Sequence, residues 1–98
     1  MGIFDNLKQL AQLRQKASQF QKMLASKIIE VKSPGNEIKL KINGKMEILS
    51  IEISEDILKP ENKNYIEKLI RKTFQEAQRE VEKIIANEIK SQIGPLPF

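Results

Sequence analysis

The apolar residues of the first segment return at a helical period. Between Ile3 and Ser26 there is no proline and no interior glycine, and the good helix formers Leu, Gln, Lys, Ala and Arg dominate. Ile3, Leu10, Ala17 and Leu24 stand seven apart, with Leu13 and Phe20 offset by three, so they align as one seam of coiled-coil-like spacing. Leu7 and Met23 widen that seam. Small Ala17 predicts close packing at mid-helix, and Lys27 on the next seam position predicts an end near Ser26.

The period then changes. Ile28-Ile29-Glu30-Val31-Lys32 reads as a strand, and Ser33-Pro34-Gly35-Asn36 as a turn. Strict alternation in Glu37-Ile38-Lys39-Leu40-Lys41-Ile42 predicts a half-buried strand with Lys39 and Lys41 on its wet face. Asn43-Gly44 carries the signal of a two-residue hairpin turn, where glycine adopts positive φ at little cost. A third strand is expected from Lys45 to Ile53. Its inward set slips phase between Met46/Ile48 and Ile51/Ile53, which predicts a bulge near Leu49 and Ser50. After Lys59-Pro60 the chain is helical from about Asn64 to Gln92, with Asn62 or Asn64 as N-cap. Ile66, Leu69, Ile70, Phe74, Ala77, Val81, Ile84, Ile85 and Ile89 form its continuous apolar stripe. A helix of about 28 residues is roughly 42 Å long, more than three strands of about six residues can cover. Its far half therefore needs another partner, most simply the same helix of a second subunit, which makes Phe74, Ala77, Val81, Ile84, Ile85 and Ile89 the candidate dimer interface. Gly94-Pro95-Leu96-Pro97-Phe98 is read as a helix stop and short extended tail.

The pattern is thus α+β: a long N-terminal helix, a three-stranded antiparallel meander and a long C-terminal helix, α-β-β-β-α. One domain is expected over 1–98, with a basic helix at 1–27, the sheet at 28–54, a dimerising helix at 62–93 and the tail at 94–98. No internal repeat or linker interrupts it. A monomer of 98 residues buries only about two thirds of its unfolded surface, so a second subunit would help it.

Composition removes most chemistry. Without cysteine there is no disulfide, thiolate nucleophile or Cys-based zinc site, which suits a reducing cytosol. Without histidine the commonest metal ligand and the side chain best suited to proton transfer near neutrality are gone. No nucleophile-base pair, glycine-rich phosphate loop or metal constellation can be assembled, so neither enzyme activity nor a cofactor is expected. The opening Met1-Gly2-Ile3-Phe4-Asp5-Asn6 lacks a basic region leading into an apolar run, and no stretch approaches the roughly 18 apolar residues that span a bilayer. Neither secretion nor a membrane partner is expected.

Charge becomes informative once it is located. Residues 1–29 hold Lys8, Arg14, Lys16, Lys22 and Lys27 against Asp5, five minus one, and so carry the whole net charge of +4; the rest has twelve of each sign. The five cations, with Gln9, Gln12, Gln15, Gln19 and Gln21 as added donors, suit contact with phosphates, and Lys39 and Lys41 extend that surface. The aromatic residues are too scattered for a base-stacking platform, so double-stranded DNA fits better than single strands. On the last helix the carboxylates alternate with Lys and Arg, and Glu76-Arg79-Glu80-Lys83 reads as a solvated, ion-paired face.

The chain resembles the YbaB/EbfC family of nucleoid-associated DNA-binding proteins over nearly its whole length. The resemblance rests on the Gln- and Lys-rich opening helix, the run Ile38-Lys39-Leu40-Lys41-Ile42-Asn43-Gly44, the strand Ile48-Leu49-Ser50-Ile51-Glu52-Ile53-Ser54, and the final helix with Phe74-Gln75-Glu76-Ala77. It implies an intertwined homodimer that binds DNA broadly in the bacterial cytoplasm, at the nucleoid, without catalysis. Members usually mix acidic residues into the first helix; here nothing acidic lies between Asp5 and Glu30. The tail holds one glycine where relatives tend to be glycine-rich. A prefoldin-like chaperone or coiled-coil scaffold is the alternative, since two amphipathic helices flanking β-hairpins describe that architecture too.

Overall fold

Alternation along residues 28–53 becomes an antiparallel sheet in the order β1-β2-β3, with β1 at Ile28–Lys32, β2 at Ile38–Asn43 and β3 at Ile48–Ile53. Helix α1 (Ile3–Ser26) precedes it and α2 (Lys63–Ile93) follows. The computed structural model describes residues 2–93, with the side chains of residues 3, 4, 92 and 93 left aside, and the tail read at Gly94 to Phe98 lies outside the described residues. The observed order is the expected α-β-β-β-α, with two short 3-10 turns, Glu55–Ile57 and Pro60–Asn62, between β3 and α2.

Register decides the core. Ile29 faces Ile42, Val31 faces Leu40, Ile38 faces Ile53, and Leu40 faces Ile51, so alternate residues of all three strands share one side. Across that side α2 lies on β1 and β2. Val31, Leu40 and Ile42 pack with Ala77 and Val81, while Ile38 packs with Ile57 and Leu69. Exposure falls to 0%, 2% and 0% at Ile38, Leu40 and Ile42. Ala77 and Val81, placed by periodicity on a dimer seam, are themselves enclosed in this protomer core, so they have no surface left for a second subunit. The far half of α2 does not stand wholly alone either: Glu88, near its end, meets Lys27 at the end of α1.

Two turns show why the local residues are what they are. In the first, Gly35 (φ 75) and Asn36 (φ 59) take the left-handed region, which glycine and asparagine tolerate best. Buried Ser33 closes this turn, its Oγ accepting the Ile38 N–H at 2.8 Å. The second corrects the two-residue hairpin expected at Asn43-Gly44. The β2–β3 loop is longer, β3 begins at Ile48 rather than Lys45, and positive φ falls on Met46. Buried Asn43 organises it: its Oδ1 accepts the N–H groups of Lys45 (2.9 Å) and Glu47 (3.1 Å), and its Nδ2 donates to the Glu47 carboxylate (2.8 Å). Gly44 is there for closeness, because a Cβ on it would lie 2.6 Å from the Leu24 carbonyl oxygen. Its N–H donates to the carbonyls of Leu24 (2.8 Å) and Lys27 (3.0 Å), two of the acceptors that a helix end leaves open. The end of α1 is thereby fastened to the sheet. The phase slip in β3 is the expected bulge: Lys41 pairs Ser50 while Ile42 pairs Ile48, leaving Leu49 without an opposite.

Candidate nucleic-acid interface

Helix α1 leaves the molecule by its N-terminal end. Leu24 is buried and Phe20 and Met23 are half-buried, but Leu7, Leu10 and Leu13 keep 56%, 47% and 63% of their surface. The long axis of the protein, 68 Å against a thinnest dimension of 19 Å, reflects that projection. Asp5 in its first turn suits the positive end of the helix dipole.

The predicted cations on α1 do not lie in one line. Lys8 and Lys22 fall within about 40° of each other around the helix, on the side away from the Leu10 seam. Arg14 and Lys16, two residues apart, are separated by about 200° and flank the seam on opposite sides. The positive surface is therefore a broad half-cylinder. None of Lys8, Arg14, Lys16 and Lys22 enters an ion pair among the described residues. Lys27 differs, since its Nζ lies 3.5 Å from Glu88 Oε1 and its charge is partly matched there. Lys39 and Lys41 sit apart from α1 on the outward face of the sheet. There Lys39 pairs across with Lys32 and Glu52, and Lys41 with Glu30 and Ser50, so this face mixes signs. Lys32 also lies 3.7 Å from Glu30.

A second set of cations escaped the sequence reading. On α2, of the pairing expected along Glu76-Arg79-Glu80-Lys83 only Lys83 with Glu80 (3.3 Å) forms among the described residues, and Lys63 with Glu67 (4.0 Å) is a further intrahelical pair. Lys68, Lys72, Arg79 and Lys90 enter no ion pair among the described residues. They share a sector of about 40° on the side away from the sheet, over about 33 Å of helix. Their spacing of four, seven and eleven residues was the available signal, hidden among carboxylates at other phases. Lys72 and Arg79 border an open cleft of about 490 Å³ with Ser33, Pro34, Gln75 and Glu76. Glu76 partly offsets them.

At the start of α2 the Tyr65 hydroxyl donates to the Glu37 carboxylate. That hydrogen bond, then slight desolvation and the charge of Glu37, raises the phenol above its ordinary pKa of 10.0. Among the described residues no group of three or more His, Cys, Asp or Glu side chains could hold a metal ion, and no helix is long and apolar enough to cross a membrane.

Comparison with known proteins agrees with this architecture. The fold resembles that of a solved, uncharacterised protein of Helicobacter pylori, with a TM-score of 0.76 over 96% of this chain and 99% of that one, at 20% sequence identity. A nucleoid-associated protein of Mycoplasmopsis pulmonis is 34% identical over 100 residues, covering 100% of this chain and 97% of its own. Another, from Thermoanaerobacter pseudethanolicus, is 30% identical over 95 residues, covering 97% and 86%. The model of the YbaB/EbfC DNA-binding family matches residues 1–96, and the chain belongs to that family.

Proposed function

We propose that this protein binds duplex DNA as a homodimer, mainly through the phosphate backbone and with little sequence preference, and so contributes to nucleoid organisation or gene regulation in the bacterial cytoplasm. The observation that carries this reading is the concentration of positive charge on α1, a helix that projects from the folded body and whose Lys8, Arg14, Lys16 and Lys22 enter no ion pair among the described residues. Lys8, Arg14, Lys16 and Lys22 can turn toward phosphates without breaking an ion pair among the described residues, whereas Lys27 must leave Glu88. Lys68, Lys72, Arg79 and Lys90 of α2 add a second basic face, and Lys39 and Lys41 a weaker one. Long, mobile cations spread around a helix neutralise a backbone but do not form a fixed array for base edges.

Dimerisation is supported by apolar surface that one copy leaves open, the Leu7, Leu10 and Leu13 stripe of α1, or covers only in part, the flank of α2 formed by Phe74, Ile84, Ile85 and Ile89, of which Ile89 is the most exposed. Two α1 helices offer ten basic side chains, two times five. If about half engage, the slope of log K against log salt is roughly −4 to −5, and affinity falls a few hundredfold between about 50 and 200 mM salt. Gel-shift titrations on unrelated duplexes should give that slope for each of them. A salt-independent affinity, or retention by one duplex alone, contradicts the backbone reading.

A further inference from the structure

The clefts among the described residues differ in the chemistry they offer. The one between β3 and α2 is apolar, lined by Leu40, Ile48, Ile70 and Phe74, and its Thr73 hydroxyl is already given to the Leu69 carbonyl at 2.7 Å. The hollow on the outward face of the sheet sets Lys39 and Lys41 against Glu30 and Glu52, so its charge cancels. The cleft between the Ser33-Pro34 turn and the flank of α2 is different. It encloses about 490 Å³, and Lys72 and Arg79 on its wall enter no ion pair among the described residues.

Those two cations stand seven residues apart, about two turns or 10.5 Å, and within about 20° of each other around the helix, so both long side chains reach the same space. Glu76 lies between them, four residues after Lys72 and three before Arg79, and pairs with neither among the described residues. Gln75 adds an amide to the lining, and buried Ser33 adds a hydroxyl. The Ser33 oxygen accepts the Ile38 N–H at 2.8 Å, and its proton meets no acceptor among the described residues, so it is free to be donated. The wall is therefore rich in donors, with one carboxylate set among them.

We propose that this cleft binds a free phosphorylated small molecule of the nucleotide class, its phosphates on Lys72 and Arg79 and its sugar hydroxyls on Glu76. The site is concave, and its volume falls within the roughly 300 to 1,000 Å³ of small-molecule pockets. A duplex carries one negative charge per about 1.7 Å of its axis, so its backbone would press phosphates against the Glu76 carboxylate. A nucleotide can turn ribose hydroxyls there instead, which a carboxylate accepts. A smaller hollow of about 140 Å³ shares Leu69 and Lys72 with the cleft and is completed by Tyr65 and Lys68. It lies at the end remote from Arg79, where the half-open ring of Tyr65 offers a face for a base. From Leu69 to Arg79 the helix rises about 15 Å, which leaves room for base, sugar and phosphates in that order. The cations of α1 take no part, so the site stands or falls separately from duplex binding by that helix.

Isothermal titration calorimetry of the full chain with ATP and with inorganic triphosphate, in EDTA and about 150 mM salt, tests this. Wild type should bind ATP with a dissociation constant of about 10 to 100 μM, and triphosphate about tenfold more weakly. Lys72→Gln and Arg79→Gln should each weaken ATP about tenfold. Lys90→Gln, on the same helix face but outside the cleft, should change it less than about twofold. Glu76→Ala removes the hydroxyl acceptor and should cut the preference for ATP over triphosphate to about threefold. All four side chains are exposed, so circular dichroism should not change. Absence of ATP binding up to about 10 mM, or equal weakening by Lys90→Gln and Arg79→Gln, overturns the proposal and leaves Lys72 and Arg79 to the duplex-binding face. Equal binding of the two probes by wild type, or a preference unmoved by Glu76→Ala, overturns it too, because the cleft would then hold any polyanion.

Discussion

The two helices are both long and amphipathic, yet they use their apolar faces differently. α2 buries Leu69, Ala77 and Val81 against its own sheet, whereas α1, among the described residues, buries only Leu24 and leaves Leu7, Leu10 and Leu13 open. Charge follows the same division. All the net charge lies before Glu30, while α2 sets seven basic residues against five acidic ones and pairs several of them. One helix holds the protomer together, and the other is held at its C-terminal end, from Phe20 onward. A helix fastened at one end, basic and partly uncovered, is suited to meeting other molecules.

Substitutions can break that contrast. Ile42→Ala should cost about 2 to 5 kcal/mol and lower Tm by about 10 °C or more, because Ile42 is fully enclosed between α2 and the sheet. Similar melting of wild type and variant would mean that α2 is not the stabilising helix. Gly44→Ala should come next, at about 1 to 3 kcal/mol, because the added methyl would push against the Leu24 carbonyl. Its effect should be local: amide exchange should quicken along α1 and stay slow in α2. Uniform quickening would show the two helices to be one cooperative unit. Leu13→Ala should fall within about 0.5 kcal/mol in dilute solution, as its side chain is exposed, and should weaken stability only at concentrations where dimers form. Tyr65→Phe should have the smallest effect, removing one exposed hydrogen bond to Glu37. In wild type that bond is present below the ordinary phenol pKa of 10.0 and is lost as pH rises through the raised folded value. Phenolate absorbance reports this directly, since the chain has one tyrosine and no tryptophan.

Much of the fold was legible because period alone separates these elements. The seven-residue spacing of Leu10, Ala17 and Leu24 and the alternation of Ile38, Leu40 and Ile42 leave little choice of structure, and the phase slip around Leu49 marked the bulge. Long-range contacts were not legible. Gly44 reads locally as a turn residue, and only the approach of α1, twenty residues away, shows that it is small because a backbone passes over it. Ala77 and Val81 read as interface because periodicity marks a face without saying what covers it; Ile48 and Ile51 read as core for the same reason. The candidate site was legible as charge on α1, but the Lys27 to Glu88 pair and the aligned cations of α2 needed the helices in place.

If the basic surface of α1 holds DNA by its phosphates, the salt dependence of duplex binding must change in the triple variant Arg14→Gln, Lys16→Gln, Lys22→Gln. Glutamine is a comparable helix former, so the helical content should be unchanged. The slope of log K against log salt should become shallower by roughly 2 to 3, with every duplex weakened alike. Wild-type affinity and slope in the variant would reduce the basic surface to a solvated face, and loss of binding to one sequence alone would mean that α1 reads bases instead.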